Sequence, residues 1–197
     1  VQRHNQKLIE ESPAPTVTQT QRAELMELCS RAVKKLGYVG AGTLEFLYDG
    51  RSFYFMEMNV RLQVEHTVTE MLTHIDLVKW QIRIAAGVPL SFTQADVDLR
   101  GSAIECRINA LSPGRVSSLH VPGGPFVRFD TYLVTGMDIT PYYDALLGKL
   151  AVCAGEREES LRKLRAALCE LVIGGVETNQ AEQLSTAGSA AFERGDY

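Results

Sequence analysis

The chain has 197 residues, of which 45% are apolar and 22% charged, the balance of a globular protein with one or two domains. Its net charge is -4 with no block of like charges, which argues against nucleic-acid and anionic-membrane partners, and no apolar run approaches a bilayer span. Residue 1 opens in polar sequence with no signal-peptide pattern, and Cys29, Cys106, Cys153 and Cys169 contain no Cys-x-x-Cys pair, so free thiols in a reducing, cytosol-like compartment are expected.

Residues 1–15 are polar and close on Ser12-Pro13-Ala14-Pro15, which cannot continue a helix. Thr18 with Gln21 three residues on has the form of a capping box. Leu25, Leu28, Cys29, Ala32, Val33 and Leu36 follow at helical spacing before Gly37, which predicts a helix over 19–36. A strand over 39–48, a turn at Asp49-Gly50 and a strand over 52–60 come next. Residues 67–86 read as helix, broken near His74, with Asp76 capping the second piece and Gly87 and Pro89 ending it. Beyond Asp98, strands are expected over 102–109, 126–134 and 146–154, with Pro122-Gly123-Gly124-Pro125 as a rigid turn. Helices are expected over 158–172 and 177–184. The reading is an α+β chain of two units, 1–97 and 98–197.

The most informative stretch runs from Glu57 to His66. Glu57, Asn59, Arg61, Gln63 and Glu65 alternate with Met58, Val60, Leu62 and Val64. In an extended chain this puts hydrogen-bonding and charged groups on one face and core residues on the other. Fully extended, Glu57 to Glu65 would span roughly 27 Å, too far for one bond-making centre, so either the chain curls or its ends do different work. Glu45 lies on the preceding strand. A two-residue turn would set Glu45 and Glu57 on opposite faces, whereas a three- or five-residue loop would set them on the same face. Glu45, Glu57 and Asn59 together would be a hard-oxygen cluster suited to Mg2+, an ion that completes its shell with water and phosphate. Arg61 can clamp a small oxyanion, and Glu65 is a candidate base.

The run Glu57-Met58-Asn59-Val60-Arg61-Leu62-Gln63-Val64-Glu65-His66-Thr67-Val68-Thr69-Glu70 resembles the signature of biotin carboxylases, within the ATP-grasp superfamily. Gly42-Thr43-Leu44-Glu45-Phe46 is similar to that family's other metal-binding segment, and residues 2–7 with 10–15 to its hinge region. Residues 101–110, Pro141-Tyr142-Tyr143-Asp144, Gly148-Lys149-Leu150 and Thr178-Asn179 continue the likeness over essentially the whole chain. The resemblance implies the C-terminal half of an ATP-grasp domain followed by a biotin carboxylase C-terminal domain. It implies that Glu45 and Glu57, assisted by Asn59, bind Mg2+ (or Mn2+) on the ATP phosphates, and that Arg61, Gln63 and the Val64 backbone cradle bicarbonate. Glu65 would deprotonate bicarbonate, which attacks the γ-phosphate to give carboxyphosphate. Arg128 would stabilise the biotin enolate, and Lys7 would contact the phosphate-bearing intermediate. Gln2, Asn5 and Leu47 would line the nucleotide site.

Implied partners are a biotin carboxyl carrier protein or domain, a carboxyltransferase component and a second copy in a homodimer, within an acyl-CoA or similar carboxylase. The expected location is cytoplasmic, or the mitochondrial matrix or plastid in a eukaryote. The family's N-terminal half and its Gly-rich phosphate lid are not in this sequence, and no Met-Lys-Met biotin-attachment motif occurs. The isolated chain is therefore expected to be inactive, with biotin arriving on a separate carrier. The 110–121 loop is short for the family, Asn5 stands where many members have His, and Val60 where Thr or Pro is usual. The alternatives are another ATP-grasp carboxylate or carbamate ligase, separable by biotin dependence, and a non-catalytic dimerisation module that ignores ATP.

Overall fold

The computed structural model describes residues 1–3 and 5–196; His4, within the hinge-like segment, and Tyr197 lie outside the described residues. The Thr18 capping box forms as its sequence requires: the hydroxyl accepts from the Gln21 N–H, the Gln21 side chain returns to the Thr18 N–H at 3.0 Å, and the helix runs Gln19–Lys35.

Thr43–Tyr48 and Phe53–Asn59 then pair as an antiparallel hairpin. Asp49 Oδ1 accepts from the N–H groups of Arg51 and Ser52, both at 2.8 Å, and Gly50 takes a φ of 92° that a side chain would resist. Tyr48 stands opposite Phe53, so a regular ladder would set Glu45 against Met56 and turn Glu57 to the other face. A bulge intervenes. Phe46 pairs with Phe55 but Glu45 pairs with Glu57, leaving Met56 without a partner. The shared face comes from an extra residue in the strand, not from a three- or five-residue loop.

The strand stops at Asn59, and 60–65 bends instead of running on. The alternating run is thus strand at Glu57 and Asn59 and curled chain at Arg61, Gln63 and Glu65. Its apolar side is not a pure core face. Met58, Leu62 and Val64 are half-buried, and Val60, in the bend, is 67% exposed. The helix His66–Thr73 follows, and His74 ends it in the left-handed region at φ 56°. Asp76 caps the helix Leu77–Ala85 by accepting from the Lys79 N–H at 2.8 Å, the predicted break.

A four-stranded antiparallel sheet runs in the order Ile9–Ser12, Ser102–Asn109, Leu146–Ala154, Val127–Thr131. The edge strand comes from the N-terminal segment, so Leu8 and Ile9 join the core of the later residues. Alternation along the strands divides the two faces. Ile104, Cys106, Ile108, Leu150 and Val152 pack against Leu161, Leu164 and Leu168 of the helix Arg157–Glu170. On the other face Ala103 and Cys153 meet Val68 and Leu72 of His66–Thr73. That contact sets the bend 60–65 over the sheet.

The helix predicted over 158–172 ends at Glu170, because β-branched Val172 and Ile173 pair with His120 and Leu119 as a short strand. The last predicted helix lies at Gln180–Ala187, three residues later than expected, and Ala190–Arg194 adds another. All four cysteines are free; Cys106 and Cys153 are buried, Cys29 is half-buried and Cys169 is exposed. No helix among the described residues is long and apolar enough to cross a membrane.

Candidate active site

A cleft of about 570 Å3 opens between hairpin, bend and sheet. The hairpin contributes Glu45, Glu57 and Asn59, and the bend Arg61, Gln63, Val64 and Glu65. Asn5 and Lys7 enter from the short N-terminal strand pair, and Arg107 from Ser102–Asn109. Nine of the residues singled out by sequence therefore line one space.

Asn59 Nδ2 donates to Glu45 Oε1 and to Glu57 Oε1, each at 2.9 Å, which eases the repulsion between two facing carboxylates. Gln63 Nε2 donates to the same Glu45 oxygen, and Lys7 Nζ lies 3.3 Å from it. The Gln63 bond first, and Lys7 against the opposing effect of burial, hold the Glu45 carboxyl below its ordinary value. Burial would lower Lys7, but Glu65 and Glu45 together raise it. Glu65 Oε1 is 2.5 Å from Lys7 Nζ, and Glu65 Oε2 accepts from Arg107 Nη2 at 3.0 Å. The Val64 carbonyl accepts from Lys149 Nζ at 2.7 Å, which fixes the peptide between Val64 and Glu65.

Two observations bear on what the cleft could hold. Gln63 Oε1 is buried and has no hydrogen-bond partner among the described residues. An orphaned acceptor of that kind costs about 1–3 kcal/mol until a donor arrives, and the hydroxyl of a hydrogen carbonate is such a donor. No cluster of three or more Asp, Glu, His or Cys suited to a metal occurs among the described residues. A pair of carboxylates with a carboxamide suits Mg2+, which takes few protein ligands, better than Zn2+. As a metal ligand Asn59 would offer Oδ1 in place of the amide nitrogen it now turns inward.

Three expected site residues lie elsewhere. Gln2 is paired across from Lys7 and lines a neighbouring cleft with Lys7, Glu65 and Phe46. Leu47 shares the Glu45 strand and face but is 59% exposed and outside the lining. Arg128 is held by Asp130, through Nε to Oδ1 at 2.8 Å and Nη2 to Oδ2 at 2.7 Å, and by Glu70 Oε2 at 2.6 Å. It lines a separate cleft with Glu70, Lys79 and Arg83. Its hydrogen bonds to Asp130 first, then to Glu70, raise it further above an already high value. Glu65 and Glu70 bracket the first turn and a half of one helix, about 7.5 Å along its axis.

Sequence reading missed Arg107, Glu10, Lys149, Glu70 and Asp130. A signal was present for some: Glu105, Arg107 and Asn109 alternate with Ile104, Cys106 and Ile108, the same period-two polarity that drew notice at Glu57 to Glu65.

Residues 1–93 match the family model for the carbamoyl-phosphate synthase L chain, ATP binding domain, and residues 105–197 match the biotin carboxylase C-terminal domain. The chain is 48% identical to a biotin carboxylase of Allochromatium vinosum, over 99% of this chain and 45% of that one. It is 43% identical to a component of the pyruvate carboxylase of Methanothermobacter thermautotrophicus, over 100% of this chain and 42% of that one. Among solved structures, the biotin carboxylase domain dimer of Hydrogenobacter thermophilus 2-oxoglutarate carboxylase, in complex with MgADP, ADP and bicarbonate, superposes with a TM-score of 0.97 at 42% identity, covering 100% of this chain and 46% of that one. Biotin carboxylase of Campylobacter jejuni superposes with a TM-score of 0.96 at 40% identity, again over 100% and 46%. The chain thus spans under half the length of the relatives it matches.

Proposed function

This chain belongs to the biotin carboxylase family, and from that premise we propose that it supplies the metal, bicarbonate and base half of an ATP-dependent biotin carboxylation site. The observation that carries the reading is the convergence of Glu45, Glu57, Asn59, Gln63, Lys7 and Glu65 on one cleft with the Gln63 acceptor left open.

In this reading Glu45 and Glu57, with Asn59, hold Mg2+ (or Mn2+), which neutralises phosphate charge when bound. Arg61 at the cleft rim, Gln63 Oε1 and the Val64 N–H orient bicarbonate. Glu65 takes the bicarbonate proton on the oxygen beside Lys7, and Lys7 balances the negative charge that builds on the phosphoryl group. Phosphoryl transfer is chiefly positioning and charge stabilisation, which is what these side chains offer. Arg128, which the resemblance implies for the biotin enolate, lies in a separate cleft tied to Asp130 and Glu70 and is not given that role in this reading. Asn5 faces the nucleotide from the cleft lining, with Gln2 in the adjoining cleft and Leu47 on the exposed part of the Glu45 strand. A division at 97/98 would put the hairpin in the first unit, while the sheet that carries Arg128 draws its edge strand Ile9–Ser12 from that same unit.

The carrier-borne biotin, the carboxyltransferase and the homodimer are proposed for the whole protein. Relatives include components of a pyruvate carboxylase and of a 2-oxoglutarate carboxylase, so the reading commits to biotin and to no acceptor.

The test is bicarbonate-dependent, biotin-stimulated phosphate release from MgATP, by the chain and by the longer protein that carries it, with Glu65→Gln as control. Release that needs biotin and disappears in the control supports the site. Release indifferent to biotin would move the chain to another ATP-grasp ligase.

A further inference from the structure

The bend that carries Gln63 and Val64 has a second side. Both residues line the candidate site, and both also line a neighbouring cleft of about 460 Å3 with Leu62, His66 and Lys149. His66 and Lys149 are not part of the candidate site's lining. The bend closes as a turn: the His66 N–H donates to the Gln63 carbonyl at 3.3 Å, and Glu65 holds φ -76° and ψ 7°, the third position of a type I turn. In a trans peptide the carbonyl and the N–H point in opposite directions. Whatever holds the Gln63 and Val64 carbonyls therefore decides where the Val64 and Glu65 N–H groups point.

Both carbonyls are held from the second cleft. His66 Nδ1 lies 2.8 Å from the Gln63 carbonyl oxygen. A carbonyl only accepts, so Nδ1 carries the proton and donates. Lys149 Nζ donates to the Val64 carbonyl at 2.7 Å. Lys149 stands on the sheet face under His66–Thr73, opposite Arg107 on one neighbouring strand and Asp130 on the other. Its side chain is 12% exposed, and a lysine so enclosed is seldom without a partner. Asp130 Oδ2 is 3.9 Å from its Nζ and already accepts from Arg128 at 2.7 Å. Glu105, on the same face, is a fully buried carboxyl that burial pushes up to about 8, and its Oε1 has no hydrogen-bond partner among the described residues. Lys149 is thus committed to a backbone carbonyl and not to a carboxylate.

We propose that His66 and Lys149 are positioning residues for bicarbonate: they anchor the turn from behind, so that the Val64 N–H faces the candidate site. The proposal rests on the reading that Gln63 and the Val64 N–H orient bicarbonate. Neither side chain touches a reacting atom. Lys149→Met fills the space without a donor, whereas Lys149→Arg keeps one. His66→Asn sets an amide nitrogen where Nδ1 stood, whereas His66→Leu supplies none.

Two measurements test it. The first follows the amide signal of Val64, in protein labelled with 15N-valine, through a bicarbonate titration with chloride at equal ionic strength as control. The wild-type signal is expected to move with bicarbonate alone, with a midpoint about tenfold higher in Lys149→Met and His66→Leu and within about threefold of wild type in Lys149→Arg and His66→Asn. The second is phosphate release from MgATP, in whichever form of the protein shows it. Lys149→Met and His66→Leu are expected to raise the bicarbonate KM about tenfold while the MgATP KM stays within about twofold, a split that a general loosening of the fold would not give. Should Lys149→Met fail to fold, the His66 pair decides alone. A Val64 signal that moves with the same midpoint in wild type, Lys149→Met and His66→Leu overturns the positioning role and leaves the bicarbonate reading standing. A wild-type Val64 signal that bicarbonate does not move overturns the bicarbonate reading, and the positioning role with it.

Discussion

Glu45 stands directly across the hairpin from Glu57, and it does so because Met56 is bulged out between Glu57 and Phe55. The bulge turns two carboxylates onto one face at Asn59's reach, 2.9 Å from each. In the proposed function the pair holds a divalent cation, which would take over from the Asn59 amide in offsetting the repulsion between the two carboxylates.

Substituting one of the pair should reveal it. Glu57→Gln is expected to weaken Mn2+ binding at least tenfold, about 1.4 kcal/mol, by electron paramagnetic resonance titration. An unchanged Mn2+ affinity would place the metal elsewhere.

Lys7→Met and Glu65→Gln remove the two ends of the 2.5 Å contact at the head of the bend. A general base contributes roughly 10^2 to 10^4 in rate, so Glu65→Gln is expected to fall by that range. Lys7→Met should fall less and raise the apparent KM for MgATP. Equal losses with unchanged KM would mean the two act only as a structural ion pair.

Glu105 also links stability to pH. Its folded-state carboxyl is pushed up to about 8 from an ordinary value of 4.5. The folded chain therefore holds a proton that the unfolded chain has released throughout that window. The contribution of this group is complete below about 4.5 and is lost as pH rises through about 8, at about 1.4 kcal/mol per unit. Urea midpoints at several pH values should show wild type losing ground to Glu105→Gln as pH rises. A constant gap between them would mean that Glu105 is ionised throughout.

Leu164 is fully buried beneath the sheet. Leu164→Ala is expected to cost about 2–5 kcal/mol in the same unfolding experiment. Leu28→Ala, at a helix position 49% exposed, should cost far less.

Much of this was legible in sequence. The Thr18 cap, the break at His74, the strands 102–109 and 146–154 and the polar alternation from Glu57 to Glu65 all follow from local pattern. Where prediction failed, the deciding contact was distant or subtle. A single bulged residue sets the hairpin's parity, and no composition rule marks Met56. Ile9–Ser12 joins a strand more than ninety residues away, and that pairing brings Glu10 to Arg107. Arg128 reads as a strand residue with an open side chain, yet Asp130 and Glu70 already hold it.

The edge strand Ile9–Ser12 has a mechanical consequence. Lys7 leads into it, Arg107 stands on its neighbour, and Glu65 opens a helix seated on the same sheet. Base and cations therefore ride on one anvil. No hairpin residue enters either buried apolar cluster, and Glu45 is tied to the anvil through Lys7 and Gln63. The arm that would carry the metal is latched by polar joints, which an arriving cation can unfasten and apolar packing would have welded shut.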